Sequence, residues 1–202
     1  MLDTYGRKHI SKIIKKIGHY CYKRNITPNS VTYLALFIGL GAAIALYFNQ
    51  ILISLVLLWI SGFFDVLDGE LARISNTASQ QGMLMDIFFD RIVESSILIA
   101  IAIRYIDLRL NIIFLFFAIL MSMTIFLISG NIIKNTTVKS FYYQAGLMER
   151  TEGFILLSLM IIFQNKVIIN LFTLLVLITV IQRFSETINY LKLLNRSKRE
   201  EK

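Results

Sequence analysis

Six of the 13 acidic residues of this 202-residue chain fall between positions 65 and 94, inside stretches apolar enough to be membrane spans. A carboxylate at the centre of a span costs about 2.5 to 3.5 kcal/mol on insertion scales, so a cluster of them demands a compensating partner. Asp65 and Asp68 are three residues apart and Asp86 and Asp90 four apart, which sets each pair on one face of its own helix. At ~1.5 Å per residue, the first pair lies roughly 21 to 26 Å along its span and the second roughly 8 to 14 Å into the next, which runs back. Both pairs therefore reach a similar depth near one membrane boundary. Four carboxylates converging there cannot all stay ionised without cations, and hard oxygen donors at this density select Mg2+ or Mn2+ over zinc or copper. We expect a site for two ions. A purely structural charge cluster would have only Arg73 and Arg91 close enough in sequence as partners, leaving at least two carboxylates unbalanced.

Gly69, Ala72, Arg73 and Gly82 lie between the two pairs. Small residues let a ligand or another backbone approach closely, and the planar guanidinium of Arg73 offers a fork of donors suited to phosphate. Helix packing alone would also account for the glycines. Together with the aspartates, they point to a metal-bound phosphate compound.

The elements that must carry these residues follow from composition. The chain is 56% hydrophobic with a single proline and a mean hydropathy of +0.65, which excludes a soluble globular domain and a disordered chain. Apolar stretches of near ~20 residues predict six transmembrane helices at about 30–48, 51–74, 81–103, 111–133, 148–164 and 167–190. No cleavable leader is expected. The fold class is thus all-α integral membrane protein, one domain over 1–202, with spans covering about 30–190. Over about 7–24, Ile10, Ile13, Ile14, Ile17, Tyr20 and Cys21 recur at helical spacing with lysines on the remaining arc, predicting an amphipathic interfacial helix. Cys21, the only cysteine, excludes an intrachain disulfide and a thiolate zinc site and serves as a small apolar residue. Thr27 and Pro28 give the start signal of the first span.

The formal charge of +8 on so apolar a chain points to anionic membrane lipids, not to nucleic acid. Arg7, Lys8, Lys12, Lys15, Lys16, Lys23 and Arg24 precede the first span, and Lys192, Arg196, Lys198, Arg199 and Lys202 follow the last. The opposite loops hold only Arg104, Arg109 and Lys166. Both termini, and with them the aspartates, are expected on the cytoplasmic side.

Residues 65 to 90 contain Asp65, Asp68, Gly69, Ala72, Arg73, Gly82, Asp86 and Asp90 in a pattern that resembles the DxxDGxxARx8GxxxDxxxD signature of the CDP-alcohol phosphotransferases. The resemblance covers most of the chain, since six spans with the signature across the second and third are similar to that family. It implies transfer of a phosphatidyl-type group from a CDP-linked lipid donor to an alcohol, with release of CMP, in phospholipid biosynthesis. It further implies that Asp65, Asp68 and Asp86 are metal ligands and that Asp90 is the base on the acceptor hydroxyl, its carboxylate also within reach of a metal. Gly69, Ala72, Arg73 and Gly82 would line the cytidine and pyrophosphate site, closed from the side by Pro28, Asn29 and Thr32, which match the family's Pro-Asn-x-x-Thr pattern. A homodimer in a prokaryotic plasma membrane is likewise implied.

The acceptor is read from basic residues in the second half: Lys134 or Lys139 after the fourth span, Arg150 at the start of the fifth and Arg183 within the sixth. A charge well inside an apolar run should face a cavity or a partner, and Glu186 is the nearest partner in sequence for Arg183. The placement resembles the branch that makes phosphatidylinositol phosphate, where such residues hold the acceptor's phosphate. Gly153 stands where that branch usually carries a second arginine. The expectation is therefore a small phosphorylated polyol, inositol phosphate or glycerol 3-phosphate, over choline or ethanolamine. The rival classes are a metal-cation transporter or channel, which would spread acidic residues along a path through the bilayer, and a prenyltransferase, which would need two distant aspartate-rich motifs.

Overall fold

A computed structural model of the chain describes the backbone of residues 2–136 and 150–200 and the side chains of residues 13–132 and 151–194. Every described element is helical: α1 Leu2–Lys23, α2 Pro28–Tyr47, α3 Ile51–Ile74, α4 Gln80–Arg104, a single 3-10 turn at Ile106–Leu108, α5 Arg109–Thr136, α6 Arg150–Phe163 and α7 Lys166–Glu200.

The helix ends follow from local chemistry. Thr27 caps α2 by accepting the Ser30 amide at 3.3 Å, with Pro28 in the first turn, where its missing N–H costs nothing. Ser79 caps α4 in the same way, its Oγ accepting the Gly82 amide at 3.0 Å. Asparagine ends the first three helices: Asn25, Asn49 and Asn76 all have positive φ. In each case the next amide reaches back five residues, Ile26 to Cys21 at 3.1 Å, Gln50 to Ala45 at 2.8 Å and Thr77 to Ala72 at 3.0 Å. This closure satisfies the last carbonyls, and asparagine tolerates the left-handed region better than other side chains.

Among the described residues, four segments are long and apolar enough to cross a membrane: Pro28–Tyr47, Ile51–Ile74, Ile106–Ile132 and Lys166–Leu194. The predicted third and fifth spans differ from these for separate reasons. Helix α4 has 25 residues, ~37 Å and ample for a ~30 Å core, but Asp86, Asp90, Arg91 and Glu94 lower its hydropathy. Helix α6 is apolar but has 14 residues, ~21 Å. Large apolar side chains such as Leu52, Phe37 and Leu110 are exposed, as suits a protein solvated by lipid.

The chain forms two compact units, Met1–Arg109 with Leu157–Gln164, and Leu110–Leu156 with Asn165–Lys202. In the first, α2 packs against both α3 and α4, and α1 packs against α3. Ile14 and Cys21 of α1 are buried with Val31, Leu67 and Leu71, with Ile17, Phe63 and Phe64 packed against them. The apolar arc predicted for α1 is therefore divided: Ile14, Ile17 and Cys21 serve α3, while Ile13 and Tyr20 remain exposed beside the exposed Lys15, Lys16 and Lys23. In the second unit, Ile112, Leu115 and Ala118 of α5 and Ile169, Phe172 and Val176 of α7 are buried at helical spacing, and Asn111 donates to Asn170 at 2.7 Å.

Candidate active site

The turn joining α3 to α4 is short and internally bonded. Ser75 Oγ donates to the Leu71 carbonyl at 2.7 Å and meets Thr77 Oγ1 at 2.6 Å, and Ser79 then caps α4. The turn thereby joins the C-terminal end of α3 to the N-terminal end of α4, two helices that both pack on α2, and aspartate carboxylates from the two helices converge. One carboxylate oxygen from each of Asp65, Asp68 and Asp86 lies within 4.8 Å of the others. Asp68 is buried, only 5% exposed. Asp90 lies one turn further along α4 and is not part of this group. Three carboxylates at that spacing repel one another strongly in a low dielectric, and an oxygen-only donor set suits Mg2+ or Mn2+. The residues thus fit a divalent metal centre.

The small residues of the motif leave room beside it. A Cβ added at Gly69 would meet no atom within 4 Å, so the backbone next to Asp68 is open to a ligand. At Gly82 an added Cβ would lie 3.4 Å from Ser79 Oγ and 3.9 Å from Asn29 Oδ1. Asn29, at the start of α2, is thereby placed against the start of α4. Pro28 is part-buried, and Thr32 is buried and donates to the Pro28 carbonyl at 3.1 Å. Ala72 is part-buried on α3.

Both arginines near the aspartates have glutamate partners. Arg73 Nη1 pairs with Glu70 Oε2 at 3.1 Å, its own side chain 69% exposed. Arg91 pairs with Glu94 on α4. Neither glutamate was singled out from the sequence, although the three-residue spacing that makes each pair was visible there.

In the second unit Arg183 of α7 is buried, only 8% exposed. Two of its contacts run to α5: the guanidinium lies 5.1 Å from the centre of the Phe126 ring, and Nη1 donates to Ser122 Oγ at 3.5 Å. Glu186, the partner suggested by sequence spacing, is exposed. The contacts to Phe126 and Ser122 were not foreseen, since they depend on how α5 and α7 pack. Lys134 lies on the backbone of α5 and Arg150 opens α6, but both side chains are outside the described ones, and Lys139 lies outside the described residues altogether.

Residues 25–184 match the family model of CDP-alcohol phosphatidyltransferase. The archaetidylinositol phosphate synthase of Pyrococcus horikoshii is 32% identical over 96 residues, 48% of this chain and 51% of that protein. The chain thus aligns with about half the length of this curated relative. Among solved structures, the phosphatidylinositol phosphate synthase of Mycobacterium tuberculosis with CDP-DAG bound has a TM-score of 0.70 at 19% identity, covering 87% of this chain and 94% of that one. The same enzyme in complex with manganese and citrate has a TM-score of 0.67 at 20% identity, covering 86% and 88%. At such identity the likeness is one of fold. The match over residues 25–184, which includes all eight positions of the aspartate, glycine and arginine signature, settles the family, and the chain belongs to the CDP-alcohol phosphatidyltransferases.

Proposed function

We propose that this protein transfers the phosphatidyl-type group of a CDP-linked lipid, CDP-diacylglycerol or a close relative, to a hydroxyl of a small phosphorylated polyol and releases CMP. The observation that carries this reading is the meeting of Asp65, Asp68 and Asp86 within 4.8 Å at a helix junction. These three residues would hold two divalent cations, Mg2+ or Mn2+, with Asp90 able to reach one of them. Such ions, when bound, neutralise the charge that builds on the pyrophosphate as it is cleaved. The manganese and CDP-DAG held by the mycobacterial neighbour support this assignment.

The chain's own residues then have separable tasks. Gly69 leaves its backbone open to the pyrophosphate, and Arg73, exposed on the same helix, exchanges Glu70 for a phosphate oxygen. Ala72 and Gly82 line the same pocket, and Asn29, beside Gly82, with Pro28 and Thr32 closes the cytidine side. The acceptor oxygen forms its bond to the β-phosphorus while the bond from that phosphorus to the bridging oxygen breaks. CMP leaves with the bonding pair, and the hydroxyl proton passes to the Asp90 carboxylate. The test is CMP release from membranes carrying the protein, given CDP-diacylglycerol and a panel of alcohols. Absence of release with every acceptor would sink the reading.

For the acceptor we propose inositol phosphate or glycerol 3-phosphate, held by Arg183 and Arg150 with Lys134 or Lys139. An ionisable side chain buried well inside an apolar helix marks a candidate substrate site, and the burial of Arg183 supports a phosphate-binding task. Arg183→Ala is expected to raise the acceptor KM by roughly 10- to 150-fold, the equivalent of the ~1.5 to 3 kcal/mol of a charge-assisted hydrogen bond. The CDP-lipid KM should stay nearly unchanged. Steady-state kinetics with inositol phosphate against free inositol provide the check, because an arginine with only a structural task would damage both reactions alike.

We further propose that all six predicted spans cross the membrane, α4 and α6 included, within a single domain that the family match over both units supports. Helix α1 would lie in the headgroup layer with its lysines toward anionic lipid, both termini and the aspartates would be cytoplasmic, and the working form would be a homodimer. Labelling of single cysteines placed near each terminus, in sealed vesicles, tests the sidedness.

A further inference from the structure

We propose that Gly39, Ser61 and Val93 form a positioning node that fixes the register of the two aspartate-bearing helices, so that metal binding depends on a contact about two turns away. This inference rests on the metal-site reading above. Ser61 Oγ of α3 is buried and donates to the Ala35 carbonyl of α2 at 2.8 Å. One turn along α2, Gly39 receives Val93 of α4. A Cβ added at Gly39 would lie 2.4 and 2.7 Å from the two Val93 methyls and 2.9 Å from Ser61 Oγ. Three helices therefore meet at a point where even one methyl group does not fit.

The node shares its helix faces with the site. On α3, Ser61, Asp65 and Asp68 stand at i, i+4 and i+7, and on α4, Asp86, Asp90 and Val93 stand at the same intervals. Residues at these intervals lie along one face, so the node is ~10 Å along the axes from Asp68 and Asp86. None of the three atoms can easily move aside. Valine is stiff at χ1 in a helix, and with both methyls too close a rotation only exchanges one clash for the other. Ser61 Oγ is held by its bond to Ala35. A methyl at position 39 must therefore displace α4 or α2 by about 1 Å to restore ordinary contact. Oxygen ligands of Mg2+ or Mn2+ must be placed to within ~0.2 Å, so the metal site should fail before the fold does. Gly41 is the contrast: a Cβ there would be 3.7 Å from Leu57 Cδ1, an ordinary contact.

The test is Mn2+ titration of the purified full-length protein in detergent, alongside thermal unfolding in EDTA and CMP release. Gly39→Ala is expected to weaken Mn2+ binding by about tenfold or more, in the range seen when groups that orient metal ligands are lost. Gly39→Ala combined with Val93→Ala should recover part of the lost affinity, because the two closest contacts are gone and only Ser61 Oγ, at 2.9 Å, still has to yield, and Gly41→Ala should be unchanged. If Gly39→Ala does not fold, Ser61→Ala, which adds no bulk, carries the test and should also weaken Mn2+ binding. Wild-type affinity in both Gly39→Ala and Ser61→Ala would overturn the node, as would a lack of recovery in the double variant, while Asp68→Asn still abolishing binding would leave the metal site standing. A wild-type protein that binds no Mn2+ would overturn the metal site and the node with it.

Discussion

Asp68→Asn is expected to abolish turnover, with a fall of at least about 10²- to 10³-fold, the scale seen when one group stabilising a charged transition state is removed. Asp65→Asn and Asp86→Asn should do the same. Asparagine keeps the shape and one oxygen donor but removes a full negative charge from a site whose three carboxylates lie within 4.8 Å of one another. The Mn2+ titration midpoint should rise more than tenfold in each variant, since ligand charge dominates the affinity of hard-ion sites. Thermal unfolding separates this from damage to the fold. In EDTA no metal contributes to stability, so any difference between the variants and the wild type there reports on the fold alone. With saturating Mn2+ the wild type should gain stability by linkage and the variants should not. Wild-type Mn2+ affinity in all three would remove the metal site from the reading.

The convergence of these carboxylates was legible because it depends on two short-range quantities, the helical intervals within each pair and the length of chain between them. The Thr27 and Pro28 helix start was legible for the same reason: a cap is a local event. What escaped the sequence was set by packing. The arc of α1 reads as one apolar face, but only Ile14, Ile17 and Cys21 find a neighbour on α3, and nothing in the helical period says that Ile13 and Tyr20 lie outside that contact. Arg183 has Glu186 at a suitable interval on its own helix, yet its guanidinium lies over Phe126 of α5, a partner some sixty positions away in sequence. The node at Gly39 is a still clearer case, since a glycine in an apolar helix carries no sign of what it receives.

Helix α4 shows a different limit. The charges that make it a candidate catalytic element, Asp86, Asp90, Arg91 and Glu94, are those that remove it from the set of four apolar spans. Composition alone judges a span by its mean affinity for lipid, whereas a site helix need only present an apolar face to lipid and can turn its charges inward. The Arg91 and Glu94 pair lies on this helix with Glu94 only 15% exposed, a placement in keeping with inward-facing charge.

Asp90→Asn is expected to differ from the other three substitutions in kind. Asp90 lies one turn beyond the three-carboxylate group, ~6 Å further along α4, so its loss should leave most of the metal-binding charge in place. As the proposed base it should cost about 10²- to 10⁴-fold in kcat, the usual worth of a positioned general base. Binding of the CDP-lipid, measured directly at saturating Mn2+, should persist, because the pyrophosphate contacts are assigned to Asp65, Asp68, Asp86 and Arg73. A second signature follows from the chemistry of the acceptor. A base matters less when the attacking hydroxyl is itself more acidic, so a fluorinated polyol phosphate should lose less rate in Asp90→Asn than the ordinary acceptor does. If donor binding falls as steeply in Asp90→Asn as in Asp68→Asn, and the fluorinated acceptor shows no advantage, Asp90 is chiefly a metal ligand. The proton must then leave the acceptor by another route.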